Sequence, residues 1–247
     1  MPYVETSGCN YHYVIEGDGP PLFMLHGIIQ SGDEFRRAGW VDALSSLRTL
    51  ILVDLPGHGK SSRPEEQHPY EIESIAAAVL AIAAKHGYAR FDYFGFSLGG
   101  RVGFELAARH PEVLVKLIIA AQHARPPSAE SRLPRLIGLF RSGKLRAMER
   151  GMGIRPEPGN STVNDPMAME RAIAALRTWR GAEDAVAQFE MPVLCVSGED
   201  DPAFDRARET AAQIPGVTWH PLEGVDHNGA FYSVDEWSGI VTEFLAD

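Results

Sequence analysis

Short apolar runs bounded by turn-forming residues recur along the 247-residue chain: Leu22 to Leu25, Leu50 to Val53, Phe91 to Phe94, Leu117 to Ala120 and Val193 to Val196. None alternates strictly between apolar and polar positions, the pattern of strands buried on both faces. Helical spacing lies between them. It is clearest from Ile72 to His86, where Gly87 is placed to end a helix, and from Leu98 to His110, where Pro111 stops one. Alternating strands and helices predict a mainly parallel sheet covered on both sides. The opening segment, with Gly8, Asn10, Gly17 and Gly19 around Tyr11 to Glu16, predicts antiparallel hairpin strands instead.

The rhythm breaks between about His123 and Ala187, where no β run appears and Pro, Gly and Arg accumulate. This stretch reads as an insertion made of a helical segment around Leu133 to Glu149, a loop from Gly151 to Asp165 and a helix from about Met167 to Thr178.

Composition adds boundaries. With 45% hydrophobic and 23% charged residues the chain is expected to form one globular domain carrying that insertion. A formal net charge of -10 argues against a nucleic-acid backbone as the main partner. The run Ile75 to Ala84 is about half the length a membrane span needs, and Met1 to Ser7 lacks the basic start and apolar core of a secretory signal. A cytoplasmic protein with no membrane partner is expected. The two cysteines, Cys9 and Cys195, are expected to be buried apolar residues rather than a disulfide framework.

The most chemically specific string is Gly95-Phe96-Ser97-Leu98-Gly99, which follows an apolar run and opens a helical pattern. A strand-turn-helix corner that tight needs small residues two before and two after the serine, and it presents the hydroxyl at the carboxyl edge of the sheet beside a helix N-terminus. A serine hydroxyl becomes a useful nucleophile only with a base to take its proton and a third group to orient that base.

Several motifs in one order give the chain its resemblance to the α/β hydrolases over nearly its whole length. His26-Gly27-Ile28 after the first central run resembles the family's oxyanion loop. Asp54-Leu55-Pro56-Gly57-His58-Gly59-Lys60-Ser61 resembles its Asp-x-x-Gly-x-Gly-x-Ser turn, whose role there is structural. Val193 to Pro202 resembles its strand followed by Gly-x-x-Asp, and His227 sits in the late loop where the family keeps its histidine. The resemblance implies a mostly parallel twisted α/β sheet of about eight strands with helices on both faces. It also implies a core of residues 1–122 and 188–247 and a small helical cap, residues 123–187, inserted after strand six. It implies Ser97, Asp201 and His227 as nucleophile, acid and base, with the N–H groups of Ile28 and Leu98 as oxyanion donors. Asp201 stands three residues after Gly198; Asp200 is its near competitor in the same turn, with Glu199 and Asp205 as further carboxylates.

His26, Gly27, Ile29, Phe96, Gln122 and His123 are expected around the substrate pocket, which reads as apolar and suited to a small carboxylic ester, lactone or thioester. No metal or organic cofactor is expected, since the histidines lack metal-ligand spacing and no phosphate loop or dinucleotide fingerprint is present. Perhydrolase chemistry, carbon-carbon bond hydrolysis or a lyase step on the same triad, and a ligand-binding regulator with little turnover, remain open, as do monomer and homodimer. Residues 124–180 hold ten arginines and one lysine against four glutamates and one aspartate. That basic face fits either attraction of an anionic substrate or a solvated surface paired with an acidic body. Met148, Met152, Met167 and Met169 are available to its underside.

Overall fold

The structure, a computed structural model, describes residues 2–127, 138, 140–142, 144 and 165–246. Eight strands form one sheet: β1 (Tyr3–Thr6), β2 (Cys9–Glu16), β3 (Pro21–Leu25), β4 (Thr49–Val53), β5 (Phe91–Phe96), β6 (Leu114–Ala120), β7 (Val193–Gly198) and β8 (Thr218–Leu222). Their order is β1-β2-β4-β3-β5-β6-β7-β8. The first two pairings, β1 with β2 and β2 with β4, are antiparallel, and all others are parallel.

Each central strand is buried on both faces, the physical reason for its unbroken apolar run. Phe23, Leu25, Ile51, Val53, Tyr93, Ile119 and Cys195 point into one core with helices α3 (Ile72–His86) and α4 (Leu98–Arg109). Leu22, Met24, Leu50, Leu52, Phe94, Ile118 and Val196 point into the other. There they meet α1 (Asp33–Ala38) and α2 (Trp40–Leu44). Behind these stand the short α7 (Gly229–Tyr232) and the closing α8 (Val234–Ala246). Trp40, Phe94 and Trp237 pack edge-to-face at the centre of this second core, Trp40 and Trp237 with ring centroids 4.4 Å apart.

Helix α3 ends where expected, at Gly87 in the left-handed conformation. The short α1 and α2, separated by Gly39, and α6 (Phe204–Ala211) were not foreseen. Between β6 and β7 the described residues include α5 (Pro166–Leu176), close to the expected helix. Asp165 caps it, its carboxylate accepting the Ala168 N–H at 2.8 Å. The expected loop to Asp165 and most of the expected helix from Leu133 to Glu149, with Met148 and Met152, lie outside the described residues.

One contact ties the return of this segment to the body. The indole of Trp179 donates to Glu105 Oε2 at 2.8 Å, and the Arg101 guanidinium lies 5.1 Å from the indole centroid. Glu105 and Arg101 both sit on α4, the helix that begins immediately after Ser97.

Strand order places the site. Strand β3 has β4 on one side and β5 on the other, so the connections after β3 and β5 leave the sheet in opposite directions. A crevice opens between them at the carboxyl ends of the strands, the usual ligand position in open α/β sheets.

Candidate active site

Ser97 follows β5 and stands at the N-cap of α4 with φ 51° and ψ -107°. A non-glycine residue in that conformation stores about 1–3 kcal/mol of strain, and close packing maintains it here. A Cβ on Gly95 would sit 2.3 Å from the Gly99 carbonyl oxygen, and one on Gly99 would sit 2.1 Å from the Leu25 carbonyl oxygen. The small residues are therefore required by backbone approaching backbone, as the motif predicts. The Ser97 N–H donates to Ala120 at 2.9 Å, and Gln122 Nε2 donates to the Ser97 carbonyl at 3.1 Å, so β6 and its following loop hold the corner from the side.

Three side chains expected to act together meet at this edge. Asp201 Oδ2 lies 2.6 Å from His227 Nδ1, and His227 Nε2 lies 2.9 Å from Ser97 Oγ. A carboxylate only accepts, so Nδ1 carries the imidazole proton; Nε2 is then the acceptor of the serine hydroxyl. Asp201 is buried whereas Glu199, Asp200 and Asp205 are exposed. The turn selects between them: the Asp201 N–H donates to Gly198, while the Glu199 and Asp200 N–H groups donate to Leu222 and Val225. Those last bonds join the acid loop to the histidine loop. The approach is close enough that a Cβ on Gly198 would fall 2.0 Å from the Val225 carbonyl oxygen.

The loop after β3 lies across the crevice from the α4 N-terminus, joined to it by the Gly99 N–H donating to the His26 carbonyl at 3.1 Å. Among the described residues neither the Ile28 nor the Leu98 N–H meets a protein acceptor. Ile28 is half-buried beside Ser97's edge of the sheet, and Ile29 is buried with φ 63°. The Gly27 N–H donates to Gln30 Oε1 at 2.8 Å, and a Cβ on Gly27 would press on the Phe96 ring at 3.0 Å. Phe96 is buried against the His227 ring, centroids 5.4 Å apart, and against Phe231.

Three residues expected around the pocket bond to backbone groups. His26 is fully buried with both ring nitrogens bonded to backbone. Gln122 uses Nε2 on Ser97 and Oε1 on the His123 N–H. His123 is buried and accepts the Arg125 N–H at 3.2 Å through Nδ1. Burial, reinforced by the Arg101, Arg206 and Arg125 charges, lowers the His123 pKa to about 4. Gln30, whose plain polar character gives it no signal in the sequence, holds Gly27 and is found only through its contacts.

The turn at Asp54 is structural, as its motif implies. Asp54 accepts N–H groups from Gly32 at 2.7 Å and Lys60 at 2.9 Å and bonds His12 at 2.8 Å, while Ser61 Oγ donates to the Asp54 carbonyl. Of the arginines in the inserted segment, Arg141 pairs with Glu170 on α5 and is two-thirds exposed, 67%. At that position the solvated-surface reading fits. Arg135 and Arg146 lie outside the described residues. Met169 is buried beside Gly57 and Met167 is exposed.

An eight-stranded, mostly parallel sheet with a serine at the β5 corner, an acid after β7 and a histidine after β8 defines a class of α/β enzymes in which chemistry occurs at loops on the carboxyl edge. The chain belongs to the α/β hydrolase fold family, whose profile matches residues 20–147, and it is a hydrolase enzyme of that fold. It is similar to the pimeloyl-[acyl-carrier protein] methyl ester esterase of Vibrio parahaemolyticus, 27% identical over 96% of this chain and 99% of that protein. It is also similar to mouse epoxide hydrolase 4, 30% identical over 47% of this chain; there the matched stretch spans only 32% of the relative's length. Among solved structures, the enol-lactonase from Burkholderia xenovorans LB400 shares the fold with a TM-score of 0.84 at 24% identity, covering 100% of both chains. Among the described residues no helix is long and apolar enough to cross a membrane.

Proposed function

We propose that the protein hydrolyses small carboxylic esters, lactones and thioesters included, through an acyl-enzyme on Ser97. The observation that carries this reading is the continuous relay from Asp201 through His227 to the Ser97 hydroxyl, with bonds of 2.6 and 2.9 Å. His227 Nε2 takes the Ser97 proton as Oγ bonds to the carbonyl carbon, and the carbonyl electron pair moves onto oxygen facing the Ile28 and Leu98 N–H groups. The ester C–O bond then breaks, with His227 returning its proton to the departing oxygen. Water next loses a proton to His227 and attacks the acyl carbon; Ser97 Oγ leaves with that proton, and the free acid remains. His227 and water carry every proton, so these steps draw on no cofactor.

Residues 123–187 serve in this reading as a cap. Support comes from α5, where Ala168 and Met169 pack on the Gly57 turn beside the crevice, and from Trp179, which is tied to the nucleophile helix. A small apolar acyl group suits the surroundings of the serine, which include Ile28, Ile29 and Phe96. The names of the similar esterase and enol-lactonase agree with attack on an ester carbonyl.

Labelling with a fluorophosphonate followed by peptide mapping tests the reading. One equivalent on Ser97, abolished in folded Ser97→Ala, is expected together with turnover of short p-nitrophenyl esters. Wild-type protein that neither labels nor turns over such esters would overturn it.

A further inference from the structure

Two histidines outside the relay make a reciprocal pattern between the loop after β3 and the turn after β4. His26, on the first loop, donates through Nδ1 to the Gly27 carbonyl at 2.7 Å and accepts the N–H of Leu55, on the second, through Nε2 at 3.1 Å. His58, on the second loop, donates through Nδ1 to the Pro56 carbonyl at 2.8 Å and accepts the N–H of Ile29, on the first, through Nε2 at 3.3 Å. Each ring thus grips its own loop with a donor and the opposite loop with an acceptor. Both are fully buried, and their centroids lie 5.1 Å apart.

A protonated imidazole has no acceptor nitrogen, so the pattern requires two neutral rings of the same tautomer. Burial drives both pKa values down, that of His58 to about 3, reinforced by the repulsion two protonated rings this close would feel. The residue His58 holds is the informative one. Ile29 is β-branched yet has φ 63°, a conformation that such side chains avoid and that persists only under restraint. Ile29 immediately follows Ile28, whose N–H meets no protein acceptor among the described residues.

We infer that His26 and His58 form a neutral reciprocal clasp whose function is to hold the two peptides flanking Ile28, His26 through the Gly27 carbonyl and His58 through the Ile29 N–H, making His58 a positioning residue for the oxyanion donor. The inference rests on the ester-hydrolase reading above, in which Ile28 supplies that donor. His58 touches no substrate. Its effect reaches the reaction through the Ile29 N–H and the Ile28 backbone before it, so it appears where negative charge develops on oxygen and not in ground-state binding.

The test compares wild type with His58→Phe and His58→Gln, reading kcat and KM on a short p-nitrophenyl ester and inhibition by a simple arylboronic acid, which forms a tetrahedral serine adduct. In His58→Phe, kcat is expected to fall about 100-fold with KM changed less than about threefold, and boronate inhibition to weaken in parallel. Gln offers an acceptor oxygen and a donor NH₂ group, so His58→Gln is expected to recover most of that loss. A folded His58→Phe with wild-type kcat and boronate affinity overturns the clasp while leaving the hydrolase reading intact; wild type that fails to label at Ser97 overturns the latter. A further measurement covers a His58→Phe protein that does not fold. Long-range ¹H–¹⁵N spectra of wild type should show both rings as neutral Nδ1–H tautomers from pH 5 to 8, and a titrating or Nε2–H ring at either position overturns the inference.

Discussion

Asp201 grips His227 with one carboxylate oxygen and its own loop with the other: Oδ2 is 2.6 Å from His227 Nδ1, and Oδ1 accepts the Ala203 N–H at 2.8 Å. Both oxygens are committed, so the carboxylate cannot rotate without breaking a bond. Asp201→Asn keeps the shape, but the amide must present either an oxygen or an NH₂ group to the ring. With the loop N–H fixing the amide oxygen on itself, NH₂ faces Nδ1 and favours the wrong tautomer. We expect kcat on short esters to fall by about 10³–10⁴ with the melting temperature nearly unchanged. Asp200→Asn, at the exposed neighbouring position, is expected to retain activity within about twofold. Ester kinetics on both variants check the assignment.

Stability should fall on the acid side for a reason visible in the histidines. His58 and His123 accept backbone N–H groups and have pKa values lowered to about 3 and about 4, against 6.5 for the unfolded ring. Below pH 6.5 the unfolded chain therefore binds protons that the folded chain refuses, and unfolding gains as pH drops. By pH 5 each of the two costs about 2 kcal/mol of folding stability. Lowered values for His26 and for Asp54, whose carboxylate is hydrogen-bonded in the fold, push in the same direction. Urea titrations at pH 7.5 and pH 5 should show this drop, and a flat profile across that window would contradict the neutral assignments.

Most of the sheet was legible because its strands are buried on both faces, and continuous apolar runs such as Leu50 to Val53 have no other simple explanation. The candidate relay was legible through spacing: Gly95 and Gly99 around Ser97, and Gly198 three before Asp201. Helices α1 and α2 were not, since six and five residues complete too few turns to display a period. Helix α6 is polar enough, as Phe-Asp-Arg-Ala-Arg-Glu-Thr-Ala, to read as a loop. The backbone bonds of the pocket candidates were not legible for another reason. His26 and Gln122 lie beside site residues in sequence, but whether a polar side chain faces a pocket or a backbone amide depends on the packing of a separate loop: Leu55 for His26, and the Ser97 corner for Gln122.

Two glycines should respond to alanine with opposite signs. At Gly99 the added methyl meets the Leu25 carbonyl oxygen at 2.1 Å, so strand β3 or helix α4 must move. The expected penalty is about 3 kcal/mol or more, with loss of activity because Ser97 and the loop after β3 separate. Gly239 lies inside α8, exposed, with nothing within 4 Å of a Cβ. There Gly239→Ala removes a helix-destabilising residue and should raise stability by about 0.5–1 kcal/mol. Chemical denaturation of the two variants gives both signs in one experiment.

The Trp179–Glu105 bond should reveal how firmly the inserted segment is tied to the nucleophile helix. The indole N–H donates to Glu105 Oε2 at 2.8 Å, both residues are buried, and Arg109 Nε is the nearer cation to Glu105 at 3.6 Å. Trp179→Phe deletes the donor and leaves a buried carboxylate stranded but for Arg109 at 3.6 Å, an expected loss of about 2 kcal/mol beyond the smaller ring's lost packing. Glu105→Gln keeps an acceptor and should cost about 1 kcal/mol. In the double variant no stranded charge remains, so its loss should be smaller than the sum by about 1–2 kcal/mol. Additive losses would mean that the bond contributes nothing to the tether. Because α4 begins at the Ser97 corner, the same variants should raise KM more than they lower kcat, since a loosened segment changes access to the crevice while leaving the Asp201-His227-Ser97 relay in place.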